Sequence, residues 1–282
     1  MTERLPTRCR GFAFDPFDSA GKTPYNMLYM QTRVVILAAG KGTRMKQDLP
    51  KPLTPVCGKP ILQYLVEAVE GAGIGVGEPI VVVNKDRPAL CEAFGKSCAY
   101  AVQEEQRGTA HAVASAREAL VGAEAMITLY GDHPFVCADT VRRLAALHAS
   151  AAGPLSMLTF TVPDFSGWRG AFEHWGRVLR DGAGNVVGVR EFKDASEEER
   201  RILEINPSFF CFDVAWFFGN VHRVSDKNAQ GEHYLTDMVA VAVSDGHRIK
   251  AASVDPQEAI GINTQEERRF AEELLQKRPF HA

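Results

Sequence analysis

The sequence predicts an α/β fold with a mixed, mostly parallel sheet. Short apolar runs recur at 33–37, 80–83, 99–103 and 125–130, the first of them rich in β-branched residues, and helical patterns separate most of them. The runs Val34-Val35-Ile36-Leu37 and Val81-Val82-Val83 are continuous rather than alternating, as suits strands covered on both faces. A glycine-rich turn follows the first run, where a parallel strand hands over to its crossover.

Taken in order, Pro60 with Ile61, Leu62, Leu65, Ala68 and Val69 has the spacing of an amphipathic helix opened by proline, with Gly71 and Gly73 to end it. Residues 109–120 and 139–152 are the helices expected beside the third and fourth strands, and 155–162 is a further strand. The pattern then changes. Phe165, Trp168, Phe172 and Trp175, with Gly167 and Gly170, make a long loop of a length usually tied to function or motion. Residues 181–185, DGAGN, read as a turn between antiparallel strands at 176–180 and 186–191. Ser196 with Glu199 is a capping box for a charged helix ending near Ile202, and 209–212 is an apolar strand. Residues 234–244 are helical, 249–254 extended, and Thr264 with Glu267 opens the last helix.

Length and composition narrow the function classes. The chain has 282 residues, 45% hydrophobic and 24% charged, enough for one main domain with an ample core. A formal net charge of −3 provides no global basic field, so nucleic acid is not an expected partner and any anion site has to be local. Six cysteines are scattered without a CxxC pair, which argues against zinc and secreted disulfide scaffolds and for a reducing cytoplasm. No stretch reaches the ~18 apolar residues that span a bilayer, so no membrane partner is expected. Residues 1–32 carry Pro6, Pro16 and Pro24 without an apolar h-region, and Met27 and Met30 precede the first strand; the expectation is a flexible leader or a mis-set start.

Residues 37–53 read LAAGKGTRMKQDLPKPL. Leu37 closes the strand, and Ala38, Ala39, Gly40 and Gly42 carry so little side chain that backbone N–H groups can approach a polyphosphate. Arg44, Lys46 and Lys51 add positive charge. A dinucleotide fingerprint fails because Met45 stands where its third glycine belongs, and no GxxxxGK[ST] string follows the strand.

The whole string resembles the LxxGxGTxMxxxxPKxL signature of sugar-nucleotide pyrophosphorylases. Residues 103–112 (QEEQRGTAHA), 129–134 (LYGDHP), 189–195 (VREFKDA), 204–206 (EIN) and 228–237 (NAQGEHYLTD) sharpen this. Together they resemble the uridyltransferase domain of the bifunctional N-acetylglucosamine-1-phosphate uridyltransferases over about 33–275.

The resemblance implies a Rossmann-like sheet of the nucleotide-diphospho-sugar transferase type with an antiparallel sugar-side lobe. It implies a nucleotide-binding half at 33–152, a sugar-binding half at 153–263 and a terminal helix at 264–282. Its substrates would be UTP and a sugar 1-phosphate, its product the cell-wall precursor UDP-N-acetylglucosamine, and its cofactor Mg2+; homo-oligomerisation is left open. Arg44 and Lys51 are the implied catalytic residues. Leu37, Ala38, Ala39, Gly40, Gln103, Gly108 and Thr109 would bind the nucleotide, with the Gln103 amide able to give and take hydrogen bonds at uracil. Tyr130, Gly131, Gly176, Glu191 and Asn206 would bind the sugar, and Asp132 and Asn263 the metal. His111 reads as structural rather than ligating, since no Cys or acidic set is spaced around it.

Pro52, Pro207 and Arg107 depart from the residues usual in that family. The family's β-helix with acetyltransferase activity would begin near residue 270, so no acetyl transfer is expected. Two alternatives stay open: a related transferase for another sugar or base, such as glucose 1-phosphate, and a non-catalytic nucleotide-sugar-binding protein.

Overall fold

A computed structural model describes residues 31–277 apart from 41, 46–48, 76 and 87. The expected leader, except for Gln31 and Thr32, and the cation Lys46 lie outside the described residues. Strand β1 (Thr32–Leu37) leads through the glycine-rich turn to a small hairpin, β2 (Pro55–Val56) with β3 (Lys59–Pro60), and then to α1 (Ile61–Ala72). Gly73 caps α1 in the left-handed region at φ 61°, whereas Gly71 stays inside the helix. β4 (Ile80–Asn84), α2 (Ala89–Phe94), β5 (Ala99–Gln103), α3 (Thr109–Ala114), β6 (Ala125–Tyr130), α4 (Ala138–Ala149) and β7 (Leu155–Thr161) follow.

The second half contributes β8 (Arg177–Arg180), β9 (Val186–Arg190), α5 (Glu197–Arg200), β10 (Glu204–Ile205), β11 (Phe210–Asp213), α6 (Val214–Asn220), α7 (Asp237–Ser244), β12 (Lys250–Ser253) and α8 (Gln265–Lys277). The sheet order is β5-β4-β1-β6-β11-β7-β10-β8-β9, with β12 also paired to β7. β5, β4, β1 and β6 are mutually parallel. β11 runs antiparallel to β6 and to β7, so the change of direction falls beside β6. One cluster of buried side chains, from Ile36 through Leu65, Val141 and Leu274, fills the face under α1, α4 and α8. A second, from Val35 through Val113, Phe217 and Met238, fills the face under α3, α6 and α7. β1 and β4 are buried on both faces, as their unbroken apolar runs require, whereas the edge strand β5 leaves Val102 exposed.

Several elements differ from the sequence reading. The helix expected over 109–120 breaks after Ala114, where the Ser115 hydroxyl bonds back to the His111 carbonyl at 3.0 Å; the chain resumes as a short 3-10 turn, Glu118–Leu120. Asp213 caps α6 by accepting from the Trp216 N–H at 2.9 Å, a helix start hidden at the end of an apolar strand. α7 begins at Asp237 rather than at Tyr234, and α5 ends at Arg200. Both capping boxes form, at Ser196 with Glu199 and at Thr264 with Glu267.

The long loop is fixed from below. Arg177 is fully buried and donates to the carbonyls of Phe172, Glu173, Trp175 and Arg200, while its guanidinium lies over the Phe165 and Phe192 rings. Trp168 stacks on Phe270, and Trp175 packs edgewise on Phe172. Both tryptophans pack on the domain itself.

Candidate active site: two clefts joined at a charged cluster

The carboxyl ends of β1 and β6 lie side by side, with Leu37 opposite Tyr130, at the point where the chain turns outward to β4 on one side and crosses to β6 on the other. A crevice is expected at such a switch point. Ala38 N–H donates to the Val82 carbonyl at 2.9 Å, and Gly131 N–H donates to the Leu37 carbonyl at 3.0 Å. The turn is thus tied to strands on both sides. A Cβ on Gly131 would come within 3.4 Å of both Ala38 Cβ and the Leu37 carbonyl oxygen. Gly42 sits at φ 63°, and a Cβ there would stand 3.0 Å from Lys51 Cβ, so glycine lets the Lys51 stem lie against the turn.

Lys51 Nζ donates to Asp132 Oδ2 at 2.6 Å and to Asn263 Oδ1 at 2.9 Å, and Arg44 Nη2 donates to the same Asn263 oxygen at 3.0 Å. The four residues assigned from sequence to catalysis and metal binding are therefore one cluster. Asp132 is largely shielded; its Oδ2 takes the Lys51 bond and its Oδ1 faces His133 Nδ1 at 3.0 Å. Burial pushes the Asp132 carboxyl up, but Lys51 and His133 outweigh it and hold the group well below the usual carboxylate range. The buried His133 ring is wedged edgewise against Tyr130, Trp175 and Phe209.

One cleft, of about 420 Å³, opens between the cradle and α3 and is lined by Ala38, Ala39, Gly40, Gln103, Gly108 and Thr109, with Lys51 and Asp132 at its mouth. Gly108 adopts φ 114°, and a Cβ there would lie 2.6 Å from both the N and O of His233. The segment is zipped to its neighbour: Ala110 N–H donates to His233 O, His233 N–H to Arg107 O, and Leu235 N–H to the Thr109 hydroxyl at 2.8 Å. Gln103 is 3% exposed, and its Nε2 faces the Gly108 carbonyl and His111 Nδ1, each at 3.1 Å. Its donors are thus committed inside the protein, which leaves acceptance as its way of reading a base. Gln106 donates to the Ala39 carbonyl and braces the cradle.

The second cleft, about 600 Å³, is lined by Tyr130, Gly176, Glu191, Asn206, Ser208 and Tyr234 and shares Lys51, Thr109, Tyr130, Asp132 and Glu232 with the first. Glu191 Oε1 accepts from the Thr236 hydroxyl at 2.9 Å. Burial raises the Glu191 carboxyl, the Thr236 bond opposes this, and Asp237 and Asp194 add to the rise. A Cβ on Gly176 would press on Val189 Cγ1 at 3.1 Å and touch Glu191 Oε1 at 3.5 Å, so a larger residue would crowd this wall of the cleft. Asn206 is 2% exposed; its Oδ1 accepts from Ser208 N–H at 3.0 Å and its Nδ2 donates to the Ser208 hydroxyl at 3.1 Å. This turn holds Ser208 at φ 61°, a left-handed conformation uncommon for a residue with a side chain. Burial also pushes the Tyr130 phenol up, with Glu191 adding to the rise and Thr109 and Ser208 holding it partly back through hydrogen bonds.

Every residue assigned from sequence lines one or both of these clefts; Gly131, assigned there to the sugar side, lines the first. Glu232 and Tyr234, with Thr236 behind them as the donor to Glu191, join the site without having been expected, as do Ser208, Gln106 and His133. The first three sit inside the 228–237 string, whose value as a motif was visible although no single position in it had a reason to be chosen.

A glycine-lined cradle at a parallel-sheet switch point, with Lys51 and Asp132 beside it, is the setting of a nucleotide phosphate site, and the class it belongs to is that of the NTP transferases. The chain belongs to the MobA-like NTP transferase domain family, whose model matches residues 34–186. It is 40% identical over 244 residues to the bifunctional protein GlmU of Caldanaerobacter subterraneus subsp. tengcongensis, covering 86% of this chain and 51% of that protein. The GlmU of Brevibacillus brevis is 39% identical over 246 residues, with the same coverage. The chain thus spans about half the length of the curated relatives it matches. Among solved structures, one from Bacillus anthracis described as a glucose-1-phosphate thymidylyltransferase superposes with a TM-score of 0.67 at 20% identity, over 89% of this chain and 98% of that one. That likeness shows the shared fold. No described helix is long and apolar enough to cross a membrane.

Proposed function

We propose that this chain joins UTP and N-acetylglucosamine 1-phosphate into UDP-N-acetylglucosamine and releases pyrophosphate. The observation that carries the reading is the junction of the two clefts at Lys51, Asp132 and Asn263, which would set a nucleotide α-phosphate beside a sugar phosphate. The similarity to GlmU proteins over 86% of the chain, together with the quoted motifs, favours this sugar and base.

The reaction needs no general base. The sugar phosphate oxygen is already anionic and attacks the α-phosphorus in line; a new O–P bond forms as the bond to the β-phosphate oxygen breaks, and pyrophosphate leaves with its charge. Catalysis then rests on positioning and charge neutralisation. In this reading the backbone of 38–40 cradles the phosphates, Arg44 and Lys51 meet the charge on the leaving pyrophosphate, and the Gln103 oxygen receives uracil N3–H. Glu191, Asn206 and Tyr130 orient the sugar.

Asp132 and Asn263 would hold Mg2+. The fit is chemical: both offer oxygen donors, and the Lys51 ammonium that bridges them shows that the pair accepts a cation. When bound, the ion neutralises phosphate charge and helps to orient the reacting groups. Pyrophosphate release measured for UTP, CTP, dTTP and GTP against several sugar 1-phosphates tests the proposal. UTP with N-acetylglucosamine 1-phosphate is expected to give the highest kcat/KM, and a different best pair would replace it.

A further inference from the structure

Three hydrogen-bonding groups next to the first cleft constrain one another. The Gly108 carbonyl can only accept, and its position is set by a φ of 114° and by the backbone of His233 packed against it. The amide atom of Gln103 that faces it at 3.1 Å therefore has to be the nitrogen. The same nitrogen faces His111 Nδ1 at 3.1 Å, so Nδ1 has to present a lone pair, and the ring is neutral with its proton on Nε2. With both amide hydrogens used, the carbonyl oxygen is what Gln103 has left for the cleft that it lines.

We propose that a neutral His111 is a positioning residue that, together with the Gly108 carbonyl, holds the hydrogen-bonding polarity of the Gln103 amide and thereby favours a uracil over a cytosine base. Uracil carries a donor at N3, which the Gln103 oxygen accepts; cytosine carries an acceptor there, which the same oxygen repels. A protonated His111 would set a donor against the amide hydrogens. Turning the amide over would relieve that contact only by setting its oxygen against the Gly108 carbonyl, so the preference weakens. Burial, Arg107 and His233 push the His111 ring below its ordinary value, against a smaller opposing effect of Glu105. The lock is accordingly intact through neutral pH. It deepens the uridine reading and depends on it only for the identity of the base.

The test compares kcat/KM for UTP and CTP in the wild type, His111→Ala and His111→Asn, and records the 15N spectrum of His111 in the free wild-type protein. His111→Ala is expected to lower the UTP-to-CTP ratio ~10-fold or more, the scale of one unpaired polar contact. His111→Asn, whose side-chain oxygen can accept, restores most of the ratio, and the spectrum shows a neutral ring protonated at Nε2. An unchanged ratio in His111→Ala, with both nucleotides losing activity in parallel, overturns the proposal, as does a ring protonated at Nδ1 at neutral pH. A wild type without preference for UTP would instead strike the uridine reading, and the spectrum alone then decides whether the lock exists.

Discussion

Around the first cleft the chain presents backbone and very small residues, at Ala38, Ala39, Gly40 and Gly108; around the second it presents side chains, from Glu191, Asn206, Ser208 and Tyr234. The first is assembled from the ends of parallel strands and the turns that directly follow them. The second is assembled across the antiparallel strands, with Glu191 joined to Thr236 over 45 residues of sequence. A surface of N–H groups suits phosphates, which every nucleotide carries, whereas a surface of carboxylate, amide and hydroxyl groups suits the pattern of one sugar. In the proposed reaction the first cleft thus pairs a backbone surface for phosphates with Gln103 for the base, and the second reads the sugar. Lys51 and Asp132 line both clefts, and Asn263 joins them from the second.

Substitution at the shared cluster is expected to have the largest effect. Asp132→Asn should lower turnover by roughly two orders of magnitude or more, the scale of one strong electrostatic contact in a transition state. Pyrophosphate release would measure it, with a single cooperative melting transition as the control for folding. Near-normal turnover would remove Asp132 from the chemistry.

Next comes the backbone-built cleft. Gly108→Ala forces a Cβ to within 2.6 Å of His233 N and O at a φ of 114°. A loss of roughly 2–3 kcal/mol is expected, with weaker nucleotide binding. Urea unfolding with and without UTP checks this, and wild-type stability would show that the 233–235 strip yields easily.

The smallest effects separate the shared cluster from the second cleft by pH. Asp132 is held below its unfolded value of 3.8, so it contributes stability above that pH and loses it as pH falls toward the folded value. Glu191 is raised above 4.5, so its contribution is full below that pH and is lost as pH rises through the folded value. Glu191→Gln should therefore unfold at higher urea than the wild type at pH 8 and at the same urea at pH 4. A wild type more stable than this variant at pH 8 would mean that the Glu191 charge is better solvated than its surroundings imply.

The same contrast explains which features are legible in the sequence alone. The parallel strands are legible because burial on both faces writes them as unbroken apolar runs, and the cradle because close backbone approach demands alanine and glycine in a fixed order. The capping boxes at Ser196 and Thr264 are equally local. α6 is not legible, since its cap Asp213 is also the last residue of β11. Thr236 and Ser208 are not legible either, because their value lies in partners far along the chain or in a backbone twist that only the fold reveals. Gln103 stands out in the sequence as an amide that gives and takes, yet His111 and Gly108 use up the giving side.

In the proposed reaction the two clefts take separate substrates and share one cluster, so they should respond separately when only one of them is altered. KM for each substrate in Glu191→Ala, a change confined to the second cleft, reads this division. The expected result is a KM for N-acetylglucosamine 1-phosphate raised ~10-fold or more, with the KM for UTP within about twofold of wild type. Equal rises for both substrates would contradict the division.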